Sequence, residues 1–304
     1  MKVLITGGTG LIGSRLAEML IDGGYEVALL GRQPAKSSHY RSFRWDPQAG
    51  ALDEAAVPYA DHIVNLAGAS VADGKWTDER KRDIMGSRLG GLALLSRALA
   101  KPGHHVQAFI SASAIGVYGD AADRLLTEET APGLPTHDFL ADVAHQWELA
   151  AQPVAALGIR TVVPRIGVVL STAGGALPQI AKPVKLGAGA ALGSGKQFMS
   201  WIHLDDLCRL FIAMLENPAW QGTYNAVAPN PVTNQQFTET LAEVLHRPLL
   251  LPKVPAFGLK LAMGEMSEMV LASQRVSAAK VLAQGFRFEY PELRGALAAL
   301  YGGE

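Results

Sequence analysis

The sequence has little cysteine, little excess charge and no long apolar run. Its single cysteine, Cys208, excludes an internal disulfide, which suits a reducing compartment. The formal net charge is −1, whereas a general binder of nucleic acid or of anionic membranes is far more basic. No apolar stretch is long enough to span a bilayer. We therefore expect a soluble cytoplasmic protein that contacts neither nucleic acid nor a membrane.

Apolar residues are plentiful enough to build a large core. They make up 49% of the 304 residues, against 18% charged residues, and the mean hydropathy is +0.15. This composition argues against disorder. The length allows two domains, or one α/β domain with an attached lobe.

The first half of the chain alternates short β-rich runs with helical patterns. Strands are predicted at residues 2–6, 26–30, 43–45, 62–66, 106–111 and 160–170, and helices at 11–21, from Thr77 to about residue 100, and at 138–157. Such alternation predicts an α/β fold, a doubly wound parallel sheet (the Rossmann fold) with helices on both faces.

The second half changes character. Residues 173–195 are rich in glycine and are predicted to form a loop or lid. Thr233 and Gln236 have the spacing of a helix capping box. From residue 250 onward the pattern predicts a small, mostly helical lobe. We therefore divide the chain into a Rossmann domain at 1–230, with insertions on the substrate side from about residue 171, and a C-terminal lobe at 231–304.

The most specific motif is a glycine loop between the first strand and the first helix. Glycines at 7, 10 and 13 form GxxGxxG, the context that a dinucleotide fingerprint requires. They permit the tight turn, the close approach of a pyrophosphate to the helix N-terminus, and the packing of helix on strand. The predicted cofactor contacts of this loop are Gly7, Thr9, Gly10, Leu11, Ile12 and Gly13.

The end of the second strand predicts which dinucleotide binds. A site specific for NAD usually has an acidic residue there for the ribose hydroxyls. This sequence has Gly31 and Arg32 instead, and a guanidinium pairs with a 2′-phosphate that a carboxylate would repel. We therefore predict NADP(H) as the cofactor. Leu66, Ala67 and Gly68 lie where the fourth strand ends, and the small residues there allow backbone contact with the adenosine half.

With these motifs the chain resembles the extended short-chain dehydrogenase/reductase superfamily, in its nucleotide-sugar epimerase branch. Residues 111–119 (SASAIGVYG) resemble the serine segment of that superfamily, and residues 201–206 (WIHLDD) resemble one of its helix starts. The segments at 65–70, 86–89, 193–197, 264–265 and 273–276 are similar to the YfcH-type epimerase-like family with its characteristic C-terminal domain.

The resemblance implies further roles for particular residues. Ser113 would polarise a substrate oxygen, with Tyr118 as a second catalytic candidate. Arg88, Ile166 and Val169 would lie near the cofactor. The resemblance also implies a homodimer built on two helices of each chain, although no residue of this sequence specifies one.

The sequence departs from the superfamily at the general acid. Members use a Tyr-x-x-x-Lys pair, in which the lysine lowers the tyrosine pKa and holds the ribose. Phe139 and Val143 stand at the matching positions, and no other Tyr-x-x-x-Lys occurs. Three interpretations follow: a substitute acid among Tyr118, His137 and His203, catalysis by Ser113 and hydride positioning alone, or no turnover. For His203 we favour a capping or packing role.

These observations favour an NADP(H)-dependent oxidoreductase or epimerase acting on a small carbonyl or a nucleotide-sugar-like substrate. The alternative is a catalytically inactive NADP(H)-binding sensor or scaffold. A metal site is not expected, because His104 and His105 lack companion ligands at metal spacing.

Overall fold

A computed structural model describes residues 1–33, 40–132 and 138–302. The strands are β1 (Lys2–Thr6), β2 (Glu26–Gly31), β3 (Arg41–Asp46), β4 (Ala51–Leu52), β5 (His62–Asn65), β6 (Ala108–Ser111), β7 (Ser113–Ala114), β8 (Leu125–Leu126), β9 (Arg160–Ile166), β10 (Val168–Leu170), β11 (Phe198–Met199), β12 (Trp201–His203), β13 (Gly222–Ala226), β14 (Val232–Thr233) and β15 (Arg275–Val276). The α-helices are α1 (Leu11–Asp22), α2 (Ala56–Tyr59), α3 (Asp78–Leu99), α4 (Phe139–Ala156), α5 (Ala176–Lys185), α6 (Leu204–Glu216), α7 (Asn234–Val244), α8 (Ala256–Met263), α9 (Glu268–Leu271), α10 (Ala279–Ala283) and α11 (Leu293–Tyr301).

The central sheet confirms the predicted doubly wound architecture. Its strand order is β13-β9-β6-β5-β1-β2-β3-β4, with β7 also paired to β9. The pairings are parallel except that β4 runs antiparallel to β3. The chain winds outward from β1 through β2 and β3, and later in the other direction from β5. The order therefore reverses between β1 and β5, where sheets of this kind bind ligands at the carboxyl ends of their strands.

Two apolar layers cover the sheet. On one face, Leu16 and Leu20 of α1 and Phe211 of α6 pack in one buried cluster with the strands. On the other face, Leu95 of α3 and Val154 of α4 belong to a second cluster. The burial of large aliphatic side chains on both faces explains the nearly continuous apolar runs of the strands, as expected for parallel sheets.

The strand predicted at 160–170 is divided in two. β9 continues the central sheet, whereas β10 leaves it and pairs with β12. The break falls at Gly167, whose backbone lies so close to the next segment that a Cβ atom would be 2.7 Å from the carbonyl oxygen of Ser200. The β-rich segment thus conceals a change of pairing partner, which hydrophobicity alone does not encode.

The predicted glycine-rich loop at 173–195 is only partly a loop, because α5 occupies residues Ala176–Lys185. Leu177 of α5 is fully buried in a third apolar cluster with Phe237 of α7 and Leu297 of α11. This cluster also contains Trp201, which precedes the predicted lobe in sequence. The predicted C-terminal lobe is mostly helical, as expected. The boundary at residue 231 stays a prediction.

The predicted helix starts have ordinary capping chemistry. The Thr77 side chain accepts a hydrogen bond from the backbone N–H of Arg80 at the start of α3. Thr233 and Gln236 form the predicted reciprocal capping box at the start of α7. Asp138 caps α4, the helix that carries Phe139.

Asp206 ties the C-terminal region to the sheet. Its carboxylate is fully buried and accepts hydrogen bonds from the backbone N–H groups of Glu289 and Tyr290, at 2.9 and 2.8 Å. We expect Asp206→Ala to lower the free energy of unfolding by about 2–4 kcal/mol, because it removes the acceptor of these two N–H groups and the ion-pair partner of Arg209. Urea denaturation measures this loss.

The neighbouring Asp205 provides a matched control. Its carboxylate pairs with Arg15 at 2.7 Å, and both side chains are partly exposed. Asp205→Ala should therefore cost less than about 1 kcal/mol. Equal losses of unfolding free energy in the two variants would show that the buried contacts of Asp206 stabilise the fold no more than an exposed ion pair does.

Candidate functional site

The glycine loop forms a tight turn against the neighbouring strand β5. Gly7 has a φ of +68°, and a Cβ atom there would lie 2.9 Å from the carbonyl carbon of Leu66. A Cβ atom on Gly13 would overlap the carbonyl oxygen of Gly7 and lie 2.7 Å from the Cα atom of Gly8. Larger residues are therefore excluded at both positions. The turn presents the N-terminus of α1, with its unpaired backbone N–H groups, as a site for a phosphate.

Thr6 fixes the geometry of the loop that faces this turn. Its Oγ1 accepts hydrogen bonds from the backbone N–H groups of Leu66 and Ala67, both at 3.1 Å. The Thr6 hydroxyl donates to Asn65 Oδ1 at 2.7 Å. Asn65 in turn donates to Ser111 Oγ at 3.2 Å. These buried polar groups hold β1, β5 and β6 in register at the point where the strand order reverses. Sequence reasoning missed the role of Thr6.

A groove of about 770 Å³ opens at this point. The predicted contacts that line it are Gly7, Thr9, Gly10, Gly31, Arg32, Leu66, Ala67 and Gly68. Sequence reasoning missed its other wall. That wall consists of residues at and just after the end of β3 (Trp45, Asp46, Pro47 and Gln48) and of residues on α3 (Glu79, Arg82, Asp83, Gly86 and Ser87). The β3 residues could have been found, because the strand beside β2 must end at the same edge of the sheet.

The groove has features that can hold a dinucleotide. Its lining includes the glycine turn and Arg32, an exposed side chain at the end of β2. No carboxylate occupies that strand end. The volume lies within the range of small-molecule sites. The turn can take the pyrophosphate, and Arg32 can take a 2′-phosphate.

The remaining predicted cofactor contacts lie outside the lining of this groove. Leu11 and Ile12 stand in the first turn of α1 and pack against the same apolar cluster as Ile166 and Val169. Arg88 lies on α3 with its guanidinium against Gly68. Their contact with a cofactor stays a prediction.

Both predicted catalytic residues belong to one buried hydrogen-bond network. Ser113 Oγ donates to Glu148 Oε1 at 2.8 Å. Arg165 donates to both carboxylate oxygens of Glu148, at 2.7 and 2.8 Å, and to the Tyr118 hydroxyl at 2.8 Å. The Tyr118 hydroxyl donates to Asn225 Oδ1 at 2.7 Å. The network links β7, α4, β9 and β13.

In this network the hydroxyl groups of Ser113 and Tyr118 both already donate a hydrogen bond. Glu148 is ion-paired with Arg165, so its carboxylate only accepts hydrogen bonds and Ser113 must donate. The pKa of Arg165 is raised, because the hydrogen bonds and charge of Glu148 outweigh the opposing effect of burial. Burial raises the pKa of Tyr118. Ser113 and Tyr118 are each only 2% exposed. Neither hydroxyl is therefore arranged to donate a proton into the groove.

The positions of the missing acid and lysine carry no substitute chemistry of their own. The Phe139 ring packs against Trp76, with ring centroids 5.2 Å apart, and the ammonium of Lys81 lies over it at 5.4 Å. Lys81 also pairs with Glu265 of the C-terminal lobe. Val143 is buried at 4% exposure. The start of α4 thus serves as a packing surface between the sheet domain and the lobe.

His203 does not line the groove. His203 caps α6, since its Nδ1 accepts from the backbone N–H of Asp205 at 3.1 Å, and its ring lies 4.0 Å from that of Tyr290. Burial lowers its pKa. This confirms the predicted capping and packing role. His137 lies outside the described residues.

The described part of the chain was searched for metal-binding clusters and for membrane-spanning helices. Within residues 1–33, 40–132 and 138–302, no group of three histidine, cysteine or carboxylate side chains could hold a metal ion. Over the same ranges, every helix is too short or too polar to cross a bilayer.

Comparison with known proteins gives concordant matches along the whole chain. The model of the NAD dependent epimerase/dehydratase family matches residues 3–227, and a domain of unknown function, DUF1731, matches residues 254–300. Epimerase family protein YfhF of Bacillus subtilis is 39% identical over 302 residues, covering 99% of this chain and 98% of that protein. Mouse epimerase family protein SDR39U1 is 35% identical over 300 residues, covering 98% of each chain.

A solved structure agrees with these relatives. The crystal structure of human epimerase family protein SDR39U1 (isoform 2) with NADPH superimposes with a TM-score of 0.90. It is 32% identical and covers all of both chains. The similarity therefore extends through the C-terminal lobe as well as the sheet.

Proposed function

Because this chain belongs to the NAD dependent epimerase/dehydratase family, we propose that it binds NADP(H) and acts as an oxidoreductase or epimerase on a small carbonyl or nucleotide-sugar-like substrate. The observation that carries the proposal is the groove between the glycine turn and Arg32. The NADPH bound by the human relative supports the same choice of cofactor. When bound, the cofactor supplies or accepts a hydride.

The chain's own residues would orient the two partners of that transfer. The N-terminus of α1 would bind the pyrophosphate, and Leu66, Ala67 and Gly68 would contact the adenosine half through the backbone. Substrate would bind over the carboxyl ends of the strands, between the sheet and the C-terminal lobe. The contact of Lys81 with Glu265 supports this placement, because it brings the lobe against α3.

Ser113 and Tyr118 have different parts in this proposal. The Ser113 hydroxyl already donates its hydrogen bond to Glu148. Its oxygen can still accept a hydrogen bond from a substrate hydroxyl. It cannot, however, donate a hydrogen bond that would polarise a substrate carbonyl. Tyr118 would act as a positioning residue that orients Arg165. This arrangement favours a substrate that presents an alcohol to the site, as in the first half-reaction of a redox-neutral epimerase.

A second candidate function is NADP(H) binding without turnover, as a sensor or scaffold. The observation that favours it is the burial of both hydroxyls together with the absence of an acid and a cation at Phe139 and Val143. The groove serves either function equally well. A substrate test is therefore needed to separate them.

The test combines binding with product analysis. Purified protein is titrated with NADPH and with NADP⁺ by fluorescence. Each loaded form is then given a panel of carbonyl compounds and nucleotide sugars, because oxidation of a sugar alcohol needs NADP⁺ as the hydride acceptor. We expect NADPH to bind, and either its absorbance to fall with one compound or a sugar to epimerise without net oxidation. Tight binding with neither change would support the sensor. Failure to bind NADPH would contradict both functions.

A further inference from the structure

The most exposed apolar side chains of the described residues are concentrated in two segments of the chain. Four large apolar side chains are 75–88% exposed, and these are Leu186, Leu250, Phe257 and Leu261. Leu186 follows α5, Leu250 precedes α8, and the other two lie one turn apart on α8. Single exposed apolar residues need no explanation, whereas a concentration of them marks a contact surface.

The two segments lie side by side. The backbone N–H of Val254 donates to the carbonyl oxygen of Ala191 at 2.9 Å, and the carbonyl oxygen of Val254 accepts a hydrogen bond from the N–H of Gly193 at 2.8 Å. The surface that they form, made of residues 182–196 and 245–261, is called the α5–α8 face below. It therefore gathers the four exposed apolar side chains on adjoining segments.

The α5–α8 face carries charge of one sign only. Its two segments contain no aspartate or glutamate, and they contain six basic residues: Lys182, Lys185, Lys196, Arg247, Lys253 and Lys260. In the whole chain, by contrast, 27 basic residues stand against 28 acidic ones. The next acid along the chain after α8 is Glu265, which pairs with Lys81 of α3. The face is thus both apolar and basic, and it calls for an occupant that is apolar and anionic.

A second copy of the chain fits this face poorly. Copies related by a two-fold axis place the same patch against itself, which would bring cations together with no acid on the face to pair with them. A partner that is bound in a cleft also fits poorly, because the exposed apolar side chains stand out from the surface. Neither the cofactor groove nor a cavity of about 390 Å³ beside α4 includes them. Protruding apolar side chains among cations match the boundary between headgroups and acyl chains in an anionic bilayer.

We propose that the α5–α8 face docks on the surface of a bilayer that contains anionic lipids. Phe257 and Leu261 would enter the acyl boundary, and the basic side chains would contact the lipid phosphates. The net charge of −1 predicts no general attraction to membranes. Screening limits charge interactions to about 8–10 Å at physiological salt, however, so that the local charge of a face decides its contacts. None of these residues lines the cofactor groove, and the inference therefore does not depend on the proposed function.

Vesicle flotation tests this inference. Purified protein is mixed with vesicles of phosphatidylcholine alone, or of phosphatidylcholine and phosphatidylglycerol in equal parts. We expect flotation with the mixed vesicles only, weakened at high salt. Phe257→Ser combined with Leu261→Ser should raise the lipid concentration for half-maximal binding at least about tenfold, because two large apolar side chains no longer enter the bilayer. Lys253→Gln combined with Lys260→Gln should raise it about tenfold as well.

Leu149→Ser combined with Leu157→Ser provides the matched control. These leucines are 40% and 45% exposed and lie on α4 and at its end, outside the α5–α8 face. Their replacement should leave the lipid concentration for half-maximal binding unchanged. The Tm of the Phe257→Ser, Leu261→Ser variant should equal that of the wild-type protein, because both side chains already lie in water. Its loss of binding then cannot be attributed to misfolding.

Three results would overturn the inference: no flotation of the wild-type protein with the mixed vesicles, equal flotation with phosphatidylcholine alone, or full flotation of the Phe257→Ser, Leu261→Ser variant. For a protein that does not float, sedimentation velocity identifies the occupant that replaces the bilayer. A dimer that dissociates in this variant would assign the face to a second copy. A monomer would leave an acidic protein as the occupant, which also contradicts the inference.

Discussion

Arg32→Glu is expected to raise the Kd of NADPH about 100-fold and to leave the Kd of NADH within about threefold. Arg32 is the charged side chain at the end of β2 and lines the groove. The substitution removes a guanidinium that can pair with the 2′-phosphate and adds a carboxylate that repels it. NADH has no 2′-phosphate, and a carboxylate at this strand end suits its ribose hydroxyls. Titration of both cofactors at fixed ionic strength measures the ratio.

The test relies on the ratio of the Kd values for NADPH and NADH, because a variant with a misfolded groove would lose affinity for both cofactors. Arg97→Glu, the same charge reversal at an exposed site near the end of α3, controls for the change in net charge. Higher salt should weaken NADPH binding to the wild-type protein more than to the variant, since an exposed ion pair is screened. Parallel losses of NADPH and NADH in Arg32→Glu would contradict the assignment of Arg32 to the 2′-phosphate.

Local patterns in the sequence were sufficient to predict most strands of the central sheet and the part of the groove formed by the glycine turn and Arg32. The strand at Lys2–Thr6 and the glycines at 7, 10 and 13 are contiguous, so the turn and the helix dipole that they create can be predicted without tertiary information. The position of Arg32 near the glycine turn can also be predicted, because the second strand of such a unit must end beside the first. These features depend on short-range geometry, and the structure has them where they were predicted.

The remaining features of the groove and of the sheet depend on which distant segments of the chain come into contact in the fold. Helix α3 forms a wall of the groove through Glu79 and Asp83, but nothing in its own pattern distinguishes that face from a solvated one. Glu148 lies 35 residues from its hydrogen-bond partner Ser113 in the sequence. No sequence motif identified Glu148 as part of the site. The exit of β10 from the sheet likewise depends on its pairing with β12. Periodicity reports burial and not the identity of the partner.

The network around Ser113 provides the second large expected effect. Glu148→Gln should lower the free energy of unfolding by about 3 kcal/mol, because it leaves the buried guanidinium of Arg165 without its charge partner. The Arg165 side chain is 6% exposed and that of Glu148 is 14% exposed, so water compensates little. Urea denaturation measures the loss. Asp205→Asn makes the same chemical change in the partly exposed pair with Arg15 and should cost less than about 1 kcal/mol.

A double-mutant cycle tests whether the loss arises from the pair itself. Arg165→Met combined with Glu148→Gln should cost less than the sum of the two single variants, because the double variant leaves no uncompensated charge. Strict additivity would show that the two residues act separately. Glu148 does not line the cofactor groove, so the folded Glu148→Gln protein should keep its affinity for NADPH. If NADPH binding fell in the folded variant, the Ser113 network would belong to the cofactor site and not only to the scaffold behind it.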